Sequence, residues 1–162
     1  MSTATMPKID NQLGLLFQYT VEAYKTFEKL AENLANPMLA AMFAKFATEE
    51  REHRDLIELK YAEGPSRIQL TLGGDLRFED LLDLPSREIV ESLIVRERTM
   101  AKKLADAARG GSVSDRNLFG YISATKRAHE VLLERELAML ASYPDWFTRE
   151  DAESLIVHGE SR

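Results

Sequence analysis

The sequence contains no cysteine among its 162 residues. This excludes disulfide bonds, zinc sites with thiolate ligands and cysteine-ligated iron–sulfur clusters. The chain does contain three histidines and 27 acidic residues. Imidazole and carboxylate are therefore the strong metal ligands that it can offer.

The sequence also lacks a basic excess and a long apolar run. Its 21 basic residues against 27 acidic ones give a net charge of -6, which argues against nucleic acid as a partner because phosphate binding takes a basic face. No apolar run approaches the roughly 20 residues that cross a membrane, and the start, MSTATMPKID, lacks the apolar core of a signal peptide. We expect a single cytoplasmic domain over residues 1–162, without a membrane or nucleic-acid partner.

Glycine and proline are scarce and lie mostly between segments with an apolar period of 3.6 residues. The pattern predicts four helices: Asn11–Leu34, Pro37–Ala62, Ser86–Ala108 and Val113–Ser142. The connection from Gly64 to Pro85 includes a β-like run, Arg67–Leu72, and its length suits a crossover from one end of a bundle to the other. Residues 143–162 are predicted to form a tail with a short helix capped by Thr148.

Two ionisable residues, Glu50 and His53, interrupt the apolar stripe of the second predicted helix. The stripe reads Leu39, Met42, Phe43, Phe46, Glu50, His53, Ile57 and Tyr61. A buried carboxylate needs a cation, a proton or a metal ion beside it. Alternatively, the pair belongs to a solvated helix face, since its immediate neighbours, Glu49 among them, are expected to face water.

The same pattern occurs a second time in the chain. Residues 42–58, MFAKFATEEREHRDLIE, align without gaps with residues 118–134, LFGYISATKRAHEVLLE, so that His53 matches His129. A helix with an acidic residue in its apolar stripe, Glu22 or Glu97, precedes each copy. Two such helix pairs would bring six side chains inward at one level: Glu22, Glu50, His53, Glu97, Lys126 and His129.

This set is typical of carboxylate-bridged metal sites in four-helix bundles. Such sites take one Glu from each of two helices and a Glu-x-x-His pair from each of the others, because residues i and i+3 share a helix face. Glu97 is the expected ligand from the third helix because it lies in the apolar stripe. An alignment of the two Lys-Leu-Ala tripeptides, residues 29–31 and 103–105, places Arg96 opposite Glu22 instead. Glu91 could take the place of Glu97 if the third helix were rotated.

The stretch VEAYKTFEKLAENLANPMLAAMFAKFATEEREH, residues 21–53, resembles the rubrerythrin-like branch of the ferritin-like superfamily. The resemblance implies an all-α, ferritin-like four-helix bundle. It also implies four metal ligands: Glu22 from the first helix, the bridging Glu50, and the imidazoles His53 and His129. Lys126 stands where the family has its second bridging glutamate. The rubredoxin-like iron domain is absent because it needs four cysteines.

A lysine in this place changes the number of ions that the site can hold. Glu22, Glu50 and Glu97 supply three negative charges and Lys126 one positive charge, so one divalent ion gives neutrality and a second leaves buried positive charge. The expected cofactor is iron, mononuclear or dinuclear, with manganese and zinc as alternatives. Alternatively, Lys126 extends its ammonium into water.

The resemblance implies peroxide reduction or ferrous-iron oxidation, with an electron-donor protein and a second copy of the chain as partners. The alternative is a metal-free bundle that serves as a homo-oligomeric interaction or regulatory module and presents Trp146–Val157 to a partner. Trp146 and Phe147 are expected to pin the tail onto the bundle or onto that partner. No acid–base catalyst is assigned. Three tyrosines could line a redox pocket, although their spacing is more typical of core packing: Tyr19, Tyr24 and Tyr121.

Overall fold

A computed structural model describes residues 8–64, 70–72 and 77–151, with the side chains of the first helix described from Leu13 onward. The described chain is all-α and contains no strand. Its four long helices are α1 Lys8–Asn33, α2 Pro37–Ala62, α3 Ser86–Arg109 and α4 Val113–Ser142. The prediction of an all-α chain with four long helices is confirmed, and α1 begins at Lys8 rather than at the predicted Asn11.

Polar caps fix where α2 and α4 begin. The side chain of Asn36 accepts hydrogen bonds from the backbone nitrogens of Met38 at 2.9 Å and Leu39 at 3.0 Å, with Pro37 in the first turn. At the start of α4, the Ser112 hydroxyl accepts from the Asp115 nitrogen and the Asp115 carboxylate accepts from the Ser112 nitrogen, both at 3.1 Å. These caps satisfy backbone donors that the helices leave free.

The helices pack as two antiparallel pairs, α1 with α2 and α3 with α4, around one apolar core. Helices α2 and α4 also meet, and they run antiparallel because Glu49 contacts His129 whereas Lys60 contacts Asp115. Four phenylalanines and Trp146 are the largest apolar side chains in the core: Phe27, Phe43, Phe46 and Phe119.

The two ends of the connection between α2 and α3 lie at opposite ends of α4. Lys60, near the end of α2, lies 2.8 Å from Asp115 at the start of α4, whereas Ser86, at the start of α3, lines a groove with Leu140 near the end of α4. A short 3-10 helix, Leu81–Asp83, lies within this connection. Residues 67–69 of the predicted β-like run lie outside the described residues.

The start of the tail is pinned onto its own helices. Trp146 and Phe147 are buried, and together with Thr148 they form a 3-10 turn. The indole nitrogen of Trp146 donates to Glu136 at 2.8 Å, and the Asn36 amide donates to the Trp146 carbonyl at 2.6 Å. The short helix predicted after Thr148 falls mostly on residues 152–162, which lie outside the described part. No described helix combines the length and the apolar character needed to cross a membrane.

Candidate metal centre

Four charged side chains meet in the interior between the helices. Glu50 comes from α2, Glu97 from α3, and Lys126 and His129 from successive turns of α4; all four are buried. Lys126 and His129 share a face of α4 because they are three residues apart. Charges removed from water to this extent require close partners of opposite sign.

The Lys126 ammonium lies between two carboxylates. Its Nζ donates to Glu50 Oε2 at 2.5 Å and lies 3.3 Å from Glu97 Oε2. The same nitrogen lies 5.3 Å from the centroid of the Tyr19 ring, within the range of a cation–π contact. Lys126 therefore points into the interior and does not extend its ammonium into water.

His129 has a carboxylate at each ring nitrogen. Its Nδ1 lies 2.6 Å from Glu97 Oε1, and its Nε2 lies 2.8 Å from Glu49 Oε1. Burial alone would lower the pKa of His129, but the hydrogen bonds to Glu49 and Glu97 outweigh burial and raise it above its ordinary value. A carboxylate at each ring nitrogen favours the imidazolium form, which donates from both nitrogens. The Phe46 ring stacks on it, with centroids 3.8 Å apart.

Glu50 also contacts His53, one turn along α2. The His53 Nδ1 lies 3.3 Å from Glu50 Oε1, and the buried His53 Nε2 has no hydrogen-bond partner among the described residues. Burial raises the pKa of Glu50, but the charge of Lys126 and the hydrogen bond from His53 more than compensate and lower the pKa to about 2. Glu50 is therefore ionised although it is fully buried.

Glu22 does not join this cluster, and its expected inward position is corrected here. Its side chain is exposed on α1. The buried face of α1 runs through Tyr19, Ala23 and Thr26, and adjacent helix positions differ by about 100° around the axis. Tyr19 and Phe27 are α1 side chains beside the cluster: the Tyr19 ring lies under the Lys126 ammonium, and the Phe27 ring meets His129 edge-on. The buried Tyr19 hydroxyl has no hydrogen-bond partner among the described residues, and burial raises the pKa of the phenol, which stays protonated.

Among the α3 alternatives, Glu97 is the residue that reaches the cluster. Glu91 is exposed and pairs with Arg87 on its own helix, at 3.5 Å. Arg96 is buried elsewhere, with its guanidinium 5.2 Å from the centroid of the Phe78 ring. The placement of Glu97 in the apolar stripe thus located the inward-facing acid of the third helix.

Glu49 is the cluster residue that the sequence interpretation missed. It was expected to face water, yet it is half-buried and accepts a hydrogen bond from His129. Glu49 lies outside the apolar stripe of α2, because its side chain points toward α4 and not toward the centre of the core. Of the other two tyrosines, Tyr24 is half-buried beneath Arg51, whereas the exposed Tyr121 meets the His53 ring edge-on, with centroids 5.8 Å apart.

Three of these groups could hold a metal ion. Glu50, Glu97 and His129 each offer a ligand atom, and these atoms lie within 4.8 Å of one another. Glu50 and Glu97 are already balanced by Lys126 and the His129 imidazolium. If His129 gives up its proton, one divalent ion restores neutrality once the adjacent Glu49 is included. A second ion would leave uncompensated positive charge in the interior, because the Lys126 ammonium already lies beside both carboxylates.

Comparisons of the chain with protein-family models, with curated proteins and with solved structures give no match. The resemblance carried by residues 21–53 therefore stays a prediction from the residues themselves. A functional proposal has to be argued from the geometry of Glu50, Glu97, Lys126 and His129.

Proposed function

We propose that this chain is a rubrerythrin-like, ferritin-like four-helix bundle that binds one divalent transition-metal ion, iron in first place, through Glu50, Glu97 and His129. Its proposed activity is reduction of peroxide or oxidation of ferrous iron. The observation that supports the proposal is the convergence of three ligand atoms within 4.8 Å, from three helices, in an otherwise apolar interior. Two carboxylates and one imidazole suit iron, manganese or zinc.

The residues around these three groups have positioning roles in the proposal. Glu49 accepts from His129 Nε2 and leaves Nδ1 facing the carboxylates. His53 contacts Oε1 of Glu50, the carboxylate oxygen that does not bond to Lys126, and restrains the orientation of this carboxylate. Hydrogen bonds of this kind orient metal ligands and tune their basicity. Lys126 supplies the charge that a second ion supplies in a dinuclear site.

Ion binding requires loss of the His129 proton, because the imidazole binds a metal through a lone pair. A redox-active ion bound there would supply one-electron chemistry. Oxidation of ferrous iron releases one electron per ion, so this activity requires an acceptor such as peroxide, with two ferrous ions oxidised and two protons consumed for each peroxide reduced to two waters. Reduction of one peroxide molecule to two waters consumes two electrons and two protons, so this activity requires the electron-donor protein that the family resemblance implies.

Metal analysis and thermal melting test the proposal. Protein purified without chelator should carry one equivalent of divalent metal, and added ferrous or manganous ion should raise the melting temperature of chelated protein. Glu97→Gln should abolish both effects, whereas Glu91→Gln, an exposed change on the same helix, should abolish neither. No melting shift at saturating metal, or equal losses in the two variants, would contradict metal binding at this place.

A metal-free interaction module is the second candidate, and the position of Lys126 favours it. With Lys126 and a protonated His129 beside Glu50 and Glu97, these four buried groups carry no net charge without an ion, and the adjacent Glu49 pairs with Lys45 at 3.2 Å. Under this alternative the wild-type chain shows neither bound metal nor a melting shift. The metal analysis and melting experiment therefore separates the two candidates.

A further inference from the structure

The ring of Phe78 bridges two helices that belong to different antiparallel pairs, α1 and α3. Phe78 lies in the connection between α2 and α3, and it is buried although its neighbours Arg77 and Glu79 are exposed. Its ring lies 5.1 Å from the ring of Tyr19 on α1, and the Arg96 guanidinium of α3 lies 5.2 Å from its centroid. The connection therefore runs at the surface here and directs Phe78 inward between α1 and α3.

Phe78 is the outermost member of a series of contacts that ends at the buried carboxylates. Behind Phe78 lies Tyr19, whose ring centroid is 5.3 Å from the Lys126 ammonium. That ammonium lies 2.5 Å from Glu50 and 3.3 Å from Glu97. A molecule that approaches the carboxylates from this side would meet Phe78, Tyr19 and Lys126 in that order.

The backbone hydrogen bonds of the segment that carries Phe78 are local. The Leu81 nitrogen donates to the Phe78 carbonyl at 3.1 Å, and those of Asp83 and Leu84 donate to Asp80 and Leu81 at 3.2 Å. Asp80 has a φ of 65°, which non-glycine residues rarely adopt and which is found in segments that switch. The segment can therefore move outward with these bonds intact, at the cost of exposing its buried apolar side chains.

The rings on other sides of the cluster belong to the long helices. Phe46 of α2 stacks on His129, and Phe27 of α1 meets the same imidazole edge-on. Tyr121 of α4 meets His53 edge-on, with centroids 5.8 Å apart. Moving the backbone at any of these rings would disturb a long helix, whereas a connecting segment opens at a lower free energy.

We infer that Phe78 and Tyr19 form a gate, through which small uncharged molecules reach the cluster when residues 77–84 move away from the bundle. The gate consists of two aromatic rings. An ion that passed between them would lose water without gaining ligands there, which is costly, whereas a small neutral molecule meets no such cost. The inference concerns access to Lys126 and its two carboxylates, and it holds with or without a bound metal ion.

Thiol labelling tests the gate, because the chain has no cysteine of its own. Ala23 is fully buried one turn from Tyr19 on the same face of α1, so Ala23→Cys places a single thiol behind the gate. Methyl methanethiosulfonate, a small uncharged reagent, should modify this thiol in chelated protein. Phe78→Ala in the same background should raise the labelling rate about tenfold or more, because the ring contacts that hold the gate closed are lost. Tyr121→Ala, the matched removal of a ring at His53, should leave the rate unchanged.

Urea dependence distinguishes opening of the gate from unfolding of the whole chain. Local opening exposes little surface, so labelling through the gate should change little at low urea, whereas labelling through global unfolding rises steeply. Circular dichroism should show that each variant is folded. A steep urea dependence with Phe78 intact overturns the inference. Equal rate increases in Phe78→Ala and Tyr121→Ala, or an increase in Tyr121→Ala alone, overturn it as well.

Charged reagents test the preference for uncharged molecules. Cationic and anionic methanethiosulfonates should both label the Ala23→Cys thiol more slowly than the methyl reagent, after each rate is divided by that for Val95→Cys. Val95 provides the reference because it is 56% exposed on α3. Equal normalised rates would overturn the preference for uncharged molecules.

Hydroxyl-radical footprinting gives a second measurement that needs no introduced thiol. In otherwise wild-type protein, oxidation of the Tyr19 ring should increase several-fold in Phe78→Ala and stay constant in Tyr121→Ala, because Phe78 covers Tyr19. Tyr19 oxidation that does not respond to Phe78→Ala overturns the gate.

Discussion

The Lys126 ammonium lies 2.5 Å from Oε2 of Glu50 and 3.3 Å from Oε2 of Glu97, so an organic cation holds two buried carboxylates together. Each carboxylate has a histidine on its other side, His53 at Glu50 and His129 at Glu97. The network links α2, α3 and α4 through charge as well as through apolar packing.

Replacing Lys126 by methionine should strongly destabilise the metal-free protein. The substitution keeps the length of the side chain but leaves two buried carboxylates without their cation, and breaking a buried ion pair costs about 3–5 kcal/mol. Urea unfolding in the presence of chelator measures the loss. Lys102→Met, which removes an exposed i,i+4 pair with Asp106, should change stability by less than about 0.5 kcal/mol. Similar effects of the two substitutions would contradict a buried network.

Replacing Lys126 by glutamate should change the number of bound ions. It places a carboxylate where the family resemblance expects the second bridging glutamate, and it removes the cation that excludes a second ion. If the proposed site exists, metal analysis should rise from one equivalent per chain toward two. Lys126→Gln, which removes the positive charge without adding a ligand charge, should stay at one equivalent or fewer. Two equivalents in that control would show that charge alone does not set the ion count.

The metal-free protein should be most stable between about pH 4.5 and pH 6.5. The pKa of Glu50 falls from 4.5 to about 2 on folding, so its contribution, roughly 3 kcal/mol, is present above 4.5 and lost as the pH falls toward 2. The pKa of His129 rises above 6.5, so its contribution is present below 6.5 and lost as the pH increases through the folded-state value. Urea unfolding measured from below pH 4.5 to above pH 6.5 reports both losses of stability, the acidic one from Glu50 and the alkaline one from His129.

Glu49→Gln should distinguish the loss of folding stability at high pH from the loss at low pH. The substitution removes one of the two carboxylates that raise the pKa of His129, so the loss of stability above pH 6.5 should become shallower. The loss at low pH, which Glu50 sets, should persist, because Lys126 still faces Glu50. If Glu49→Gln changes only the loss of stability at low pH, groups other than His129 cause the loss at high pH.

Asn36→Ala should destabilise the chain by about 2–4 kcal/mol, because one side chain both caps α2 and holds the tail. Loss of a cap costs about 1 kcal/mol, and the buried Trp146 carbonyl loses its donor, at about 1–3 kcal/mol. Fluorescence of Trp146, the single tryptophan, reports the unfolding. Asn33→Ala, an exposed change at the end of α1, should be nearly neutral. Equal stability of the two variants would contradict this dual role.

Helix boundaries were predictable from the sequence because local chemistry sets them. Asn36 followed by Pro37 determines the start of α2, and the predicted bounds of α2 and α4 agree with the structure. The length of the connection before Ser86 likewise predicted that its two ends lie at opposite ends of the bundle, and they lie at opposite ends of α4. The extra turn of α1 before Asn11 was not predictable, since no cap residue or apolar period marks it.

The interior cluster was only partly predictable, because helical position is known from sequence only to within about one residue. The stripes directed Glu50, His53, Glu97 and His129 inward, where they are buried, but left Lys126 open between the interior and water. Glu22 was expected inward, but it is exposed, and Tyr19 and Ala23 hold the buried side of α1. The contact of Glu49 with His129 depends on how closely α2 approaches α4, which no single helix encodes.

A cation attached to the polypeptide by covalent bonds has no dissociation constant. Chelation, dilution or metal starvation cannot remove Lys126 from between Glu50 and Glu97, whereas each of these can empty a dinuclear centre. The Lys126 ammonium therefore joins the α2, α3 and α4 helices at mid-length whatever the metal supply.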